Sequence, residues 1–555
     1  MRDGSANKNL MIRTVGEALP HLLAARGVQV VFGMPGVHSL ELYRTLGEAG
    51  LRHVGVRHEQ GAGFMADGYA RASGMPGVAW LISGPGLTNA STAIGQSYSD
   101  SVPVLVVTAA IDTLHLGMGH GRLHEISDQR AMSAPLTGAS MIALHPAQLG
   151  EHVARAFARF AVLRPRPVHL ALPLDVLAMP YDFEANLPVL PSPPGPDPRA
   201  IAALAAAMAK ASKIAILAGG GAVKAGPALL DLVERTGALF VTTVAGKGII
   251  PESHPLSLGA SLQRLPTRRC LAEADLVIAI GTEIAEPDLY VTADAEASGS
   301  VDPALMRPEL MVGGHFARID LDPDVLARTP LANFAILSDA RLAAEALVSA
   351  LPLIAVPDRK AEAASLRAAN HAQLSLLEQL HDDVLLAIRA ALPPDGMVFA
   401  DMTQIAYTGC VTFPVEGPRQ WLFPMGFGTL GYALPAAIGG QIACPRRAVV
   451  ALAGDGGFQF TLAELATAVE ERLPVAIVLW DNDGLAEIEH FMRARQIPLV
   501  SVRPKNPDFA LIAKAYGCGY HLAATMVDLT AAVSAAFTRD GPTLIHARQS
   551  DLAAR

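Results

Sequence analysis

Cysteine is scarce in this chain: four in 555 residues (Cys270, Cys410, Cys444 and Cys518), far apart and with no C-x-x-C pair. That argues against a disulfide framework and against a thiolate metal site, and the four read as packing residues. Basic runs are missing as well. With 43 Lys and Arg against 52 Asp and Glu the net charge is −9, so no nucleic-acid partner is expected. Long apolar runs are absent: stretches such as Val102–Ala110 and Ala448–Ala453 fall far short of the ~20 residues of a membrane span, and no membrane crossing is expected. The opening MRDGSANKNL has no apolar segment of the kind a secretory signal needs, which makes the cytoplasm the expected compartment. There is no low-complexity tract and no short-period repeat, so solenoid and scaffold architectures are disfavoured.

What is present is alternation. Glycine (49) and proline (40) are spread between short apolar runs and amphipathic helical patterns, as in an α/β enzyme with many tight connections. Strands are expected at Val28–Phe32, Val78–Ile82 and Val102–Thr108, with a helix over Gly61–Arg71. A second block has strands at Ile214–Ala218, Leu239–Val244, Leu276–Ile280 and Ala317–Leu321. A third has strands at Met397–Ala400, Ala448–Ala453, Val475–Trp480 and Thr543–His546. Six prolines in Leu187–Pro198 mark a linker. The expected fold is α/β, with three doubly wound parallel-sheet domains over 1–185, 199–352 and 374–555.

The chemistry concentrates in the third block. A buried strand runs into Gly454-Asp455-Gly456-Gly457 and the next into Asp481-Asn482-Asp483-Gly484. Either loop alone is ordinary turn chemistry. Asp455 and Asn482 are 27 positions apart, enough for one helix and one returning strand, so both side chains can reach the same sheet edge. That edge is where ligands bind in open α/β sheets, with glycines letting the backbone approach a phosphate. A carboxylate, an amide oxygen, a backbone carbonyl and phosphate oxygens suit Mg²⁺.

A Gly-Asp-Gly followed after nearly thirty residues by an Asn resembles the thiamin diphosphate (ThDP) signature, and nearly the whole chain is similar to ThDP enzymes of the acetolactate synthase and pyruvate decarboxylase group. The resemblance implies a pyrimidine-binding first domain, a central domain and a diphosphate-binding third domain. It implies that Asp455, Asn482 and the Gly484 carbonyl hold Mg²⁺, with Thr403, Gln404, Gly454, Gly456 and Gly457 near the diphosphate. Many relatives have Asn-Asn where this chain has Asp481-Asn482. The run Arg57–Ala70 fits the family's segment for an activating glutamate, here Glu59. Its carboxyl would hydrogen-bond N1′ of the aminopyrimidine and favour the imino form that removes the C2 proton; a helix-capping glutamate is the alternative. In Trp421–Gly439, Gly428 would offer a carbonyl to the 4′-amino group and Leu430 would wedge the cofactor into its V shape, with core packing as the alternative for Leu430. Ser83–Asn89 and Asp100–Pro103 resemble first-domain turns that line the site.

His38 stands where some family members carry a histidine near C2, which suggests a proton relay. His120 and His124 lie in a glycine-rich loop near the expected mouth. Acetolactate synthases usually have a Gln at the position of His124. The turn Gly219-Gly220-Gly221 fails the dinucleotide spacing, and Gly281–Asp288 stands where flavin-binding relatives have an arginine-rich run, so FAD is not expected.

The family's chemistry is addition of a C2 ylid to a 2-oxo acid, loss of CO₂ and protonation of an enamine. Acetolactate synthase-like carboligation, in which a second carbonyl compound captures the enamine, is the alternative. His58–Arg71, Gly36–Arg44 and Asp128–Met132 look most like 5-guanidino-2-oxopentanoate (2-ketoarginine) decarboxylases. The cationic tail of that substrate would need an acid, with Glu487, Glu489, Glu125 and Asp128 as candidates. A homodimer or homotetramer is implied, since such enzymes hold ThDP between the first domain of one subunit and the third of another. A non-catalytic regulatory subunit is the reading from another class, and the presence of Glu59, Asp455 and Asn482 together speaks against it.

Overall fold

The computed structural model describes residues 12–182, 187–290 and 309–553; the opening MRDGSANKNL lies outside them. By contact density the chain separates into two compact units. One runs to Ser192, without Val162–Arg164 and with Ile438–Ala443; the other comprises Val162–Arg164, Pro193–Ala437 and Cys444 onward. Within them lie three parallel sheets.

In the first unit, β1 (Ile12–Thr14) is followed by β2 (Val30–Gly33), β3 (Arg52–Gly55), β4 (Gly77–Leu81), β5 (Val104–Ala110), β6 (Ala139–Ile142), β7 (Val168–Pro173) and β8 (Pro180–Asp182). Strands β2 to β7 form a parallel sheet in the order 3-2-4-5-7-6, while β1 and β8 pair antiparallel beside it. Strands β4 and β5 are buried at every position, so they read as continuous apolar runs rather than alternating ones. The helix Glu59–Ser73 stops at Gly74, whose φ of +75° is left-handed, a conformation that glycine adopts without a Cβ penalty. The helix lies so close to β4 that a Cβ on Gly77 would sit 2.0 Å from the Ala66 carbonyl oxygen.

The second unit carries two sheets. β9 (Ile214–Ala218), β10 (Leu239–Thr242), β11 (Leu276–Ile280), β12 (His315–Asp320) and β13 (Phe334–Leu337) run parallel in the order 10-9-11-12-13. β14 (Met397–Ala400), β15 (Trp421–Leu422), β16 (Val449–Gly454), β17 (Ala476–Asp481), β18 (Gly519–Ala523) and β19 (Thr543–Arg548) run parallel in the order 15-14-16-17-19-18. Val450, Leu452, Val478 and Trp480 face a core shared with Val384, Leu385 and Ile388 of the helix Leu376–Ala391. Leu187–Asp197 forms no regular element before the helix that starts at Pro198.

The expected α/β class with three parallel sheets is the observed one. Boundaries shift where chemistry at the ends intervenes. The strand expected from Val102 begins at Val104, after Pro103, which has no N–H for the ladder, and Ser101, whose φ is +60°. Edge strands β3, β6, β13 and β18 escape the apolar pattern because their residues are half in water. Among the described residues no helix is long and apolar enough to cross a membrane.

Candidate active site

In the third sheet the chain turns back between β14 and β16, and open α/β sheets build their ligand crevice at the carboxyl ends of strands flanking such a reversal. Three polar loops leave that edge: Asp401 after β14, Asp455 after β16 and Asn482 after β17. The two loops expected to meet do so. The Gly484 N–H donates to Asp455 Oδ2 at 2.9 Å, and Asn482 Nδ2 donates to Gln404 Oε1 at 3.3 Å. Gly484 has φ +139°, and a Cβ there would lie 2.5 Å from the Val502 carbonyl oxygen; a side chain would both strain the turn and collide.

Two residues that sequence reasoning missed complete the cluster. Asn506 Nδ2 donates to Asp455 Oδ2 at 2.7 Å and to Asp481 Oδ1 at 3.1 Å, standing between two carboxylates. Burial pushes the Asp455 carboxyl above its usual value, partly offset by Asn506. Burial would raise Asp481 too, but His546, whose Nε2 lies 2.8 Å from its Oδ2, brings it below the usual range. Asp401 is the second omission. It is 1% exposed, accepts the N–H groups of Met402 and Gly431, and burial pushes it up to about 6. Its position at a strand end was a usable signal, the same that marks Asp455.

Gly428 and Leu430 lie in the loop after β15. Gly428 has φ +66°, and a Cβ there would make ordinary contact with Met402 Cε at 3.5 Å. Leu430 is half-buried.

In the first unit the reversal falls between β2 and β4. His38 follows β2, Glu59 follows β3 and Ser83 follows β4. Glu59 is buried, and its Oε2 accepts from Asn89 Nδ2 at 3.0 Å. The helix is capped by the His58 side chain, which accepts from the Gln60 N–H; the capping alternative for Glu59 fails. His38 is buried with Nδ1 2.7 Å from Ser83 Oγ, and its ring meets His124 edge-on at 4.8 Å between centroids. Burial, then the His124 ring, hold His38 below the usual imidazole value. Gly84, with φ +60°, lets the His124 backbone approach: a Cβ there would be 2.5 Å from the His124 carbonyl oxygen. His120 stands apart, exposed beside His115. Asp100 is engaged by Arg71 and Gln96.

The middle sheet's glycines serve packing. A Cβ on Gly219 would lie 2.4 Å from the Gly281 carbonyl oxygen, and the Gly221 N–H donates to that same oxygen at 3.0 Å.

Three successive segments match the thiamine pyrophosphate enzyme domains: the N-terminal TPP binding domain over residues 13–132, the central domain over 201–347 and the C-terminal TPP binding domain over 401–547. The chain belongs to the thiamine pyrophosphate enzyme family. Within it, the chain is 48% identical over 542 residues (97% of this chain, 94% of the relative) to the probable 2-ketoarginine decarboxylase AruI of Pseudomonas aeruginosa PAO1. It is 29% identical to the acetolactate synthase isozyme 1 large subunit of Escherichia coli K12 (96% and 94% covered) and 31% identical to a probable acetolactate synthase large subunit of Methanocaldococcus jannaschii (90% and 86%).

The residues fit that cofactor's diphosphate end. A Cβ on Gly454 would lie 2.9 Å from Thr403 Oγ1, on Gly456 3.1 Å from Leu485 Cδ2, and on Gly457 3.2 Å from Asp401 Oδ2. The loop is a cradle that side chains would fill. Its donors are a carboxylate, an amide and backbone groups, matching a hard cation and phosphate oxygens rather than a soft metal; among the described residues no cluster of three His, Cys, Asp or Glu side chains gathers as an alternative metal site.

Proposed function

We propose that this enzyme decarboxylates a 2-oxo acid non-oxidatively, using ThDP and Mg²⁺, and that 5-guanidino-2-oxopentanoate is its substrate. The observation that carries the cofactor part is the hydrogen bond from the Gly484 N–H to Asp455, which closes two loops into one cradle. Asp455, Asn482 and the Gly484 carbonyl would hold Mg²⁺. Thr403, Gln404, Gly454, Gly456 and Gly457 would seat the diphosphate, and the Gly428 carbonyl and Leu430 the pyrimidine ring. Bound ThDP supplies the electron sink that accepts the pair left when CO₂ departs. Glu59, oriented by Asn89, holds a proton at N1′ of the pyrimidine. His38 and His124 form an edge-on pair suited to moving a proton to the product carbon. A second copy of the chain is proposed to join Glu59 of one subunit to Asp455 of another, as homodimer or homotetramer, in the cytoplasm. The reading needs no flavin.

A guanidinium tail needs an acid not already neutralised. Glu489 is clamped by Arg493 and Arg503, which hold it down to about 2. Glu125 accepts the loop N–H groups of Gly119 and Arg122, and Asp128 caps a helix at Ala131. Glu487 is half-buried, and its Oε2 accepts one neutral amide, Gln404 Nε2 at 2.9 Å. These contacts favour Glu487. A screen of 2-oxo acids with ThDP and Mg²⁺, read by CO₂ release and product mass, is expected to give 4-guanidinobutanal. A hydroxyketone product would point instead to acetolactate synthase-like carboligation, and absence of CO₂ from every acid would overturn the proposal. Glu487→Gln is expected to raise KM for the guanidino acid ~10–100-fold, the range of a charged hydrogen bond, and to leave KM for an uncharged acid unchanged. Equal effects on both would remove Glu487 from the site.

A further inference from the structure

Behind the His38–Ser83 pair runs a buried polar chain to which the proposed reaction assigns no role. Gln129 is 7% exposed, Thr108 and His169 are fully buried, and Ser133 lies beyond them. Gln129 Oε1 accepts the Gly84 N–H at 3.2 Å. Its Nε2 donates to the Ala109 carbonyl at 2.8 Å and to Thr108 Oγ1 at 2.6 Å. Thr108 Oγ1 lies 2.7 Å from His169 Nε2, and His169 Nδ1 lies 2.8 Å from Ser133 Oγ and 2.9 Å from Ser140 Oγ.

The hydrogens in this chain can be ordered. Both amide hydrogens of Gln129 are committed, so Thr108 is an acceptor from Gln129 and directs its own hydrogen to His169 Nε2. His169 must then carry its proton on Nδ1, toward the serines. Complete burial holds its pKa down to about 3, with Arg130 adding to the effect, so the ring is neutral and the order does not reverse. The Gln129 carbonyl has one orientation left to it, facing Gly84. Gly84 adjoins Ser83, whose Oγ meets His38 Nδ1.

We propose that Gln129 is a positioning residue for His38: anchored by Thr108 and His169, it fixes the Ser83–Gly84 turn and through it the ring of His38. The proposal rests on the reading of His38 as a group that faces the reacting carbon. In a fully satisfied network each member constrains the next, whereas a half-satisfied one loses its geometry.

Two measurements test it. Gln129→Met is expected to lower kcat for CO₂ release about tenfold, the loss of one neutral hydrogen bond, with KM little changed. In a His38→Ala background the same substitution should have almost no further effect; an equal loss in both backgrounds would overturn the proposal. The second is deuterium exchange at histidine ring C2, resolved by peptide mass spectrometry on the cofactor-free protein. In Gln129→Met and in Thr108→Val, His38 should exchange at a rate approaching that of exposed His120, while Thr108→Ser, which restores the hydroxyl, should return it to the wild-type rate. His38 exchange unchanged in Thr108→Val would overturn the proposal even if Gln129→Met failed to fold. Should no 2-oxo acid release CO₂, the exchange measurement still decides the positioning role.

Discussion

Glu59 and Asp455 are both buried carboxylates that accept an asparagine amide, but their neighbours differ. Glu59 receives one amide donor, from Asn89, whereas Asp455 shares Asn506 with a second carboxylate. Glu59→Gln keeps the shape and the Asn89 contact through its carbonyl. It is therefore expected to lower kcat by ~10²–10⁴, the range for a positioned acid or base, without moving the melting temperature; substantial remaining turnover would remove Glu59 from the mechanism. Asp455→Ala is expected to weaken Mg²⁺ and ThDP binding together, and unchanged calorimetric affinity would contradict the metal assignment. Asp455 and Asn482 stand out in the sequence because each follows an apolar strand in a loop with glycine, whereas Glu59 is singled out by the family resemblance alone. Asn506 was not. It lies in Arg503-Pro504-Lys505-Asn506-Pro507, an irregular stretch with no periodicity, and only folding brings it between two acids. Gln129 was likewise hidden, since a buried glutamine carries no pattern of its own.

At the level of elements, what could be read followed solvent exposure. Fully buried strands such as β9, β11 and β14 announce themselves as unbroken apolar runs, while the half-exposed edge strands β3, β6, β13 and β18 and β7, interrupted by His169, do not. The middle sheet's triple glycine, whose spacing fails the dinucleotide pattern, is small so that two turns can touch. Between β10 and the third sheet of the same unit, Lys247 is 3% exposed and donates to Glu252 Oε1 at 3.0 Å, while Glu252 Oε2 accepts the Val415 N–H at 3.2 Å. Removing Lys247 would leave the half-buried Glu252 with the Val415 N–H as its remaining partner. Lys247→Met is expected to cost about 1–3 kcal/mol in urea unfolding, and no measurable loss would mean that water solvates the freed Glu252.

For the whole molecule, buried titratable groups set the acid limit. His169 and His381 are held at about 3 and about 4 by burial, and Asp401 is raised to about 6. Between about pH 4 and 6 the unfolded chain binds up to two more protons than the folded one at the histidines and up to one fewer at the aspartate. The histidines prevail over the aspartate, so this contribution to stability is present above about pH 6.5 and is lost on acidification. Melting temperature against pH in the cofactor-free protein checks the sign, and His381→Asn should flatten the slope.

The first and third sheets list their strands in the same local order, second, first, third, fourth, sixth, fifth, and the middle sheet repeats it without the last member. A shared winding puts a crevice at the same reversal point in each sheet. On the proposed reading, the acid beside the first crevice would face a ring nitrogen and the one beside the third a cation, while the middle sheet closes its turn on itself.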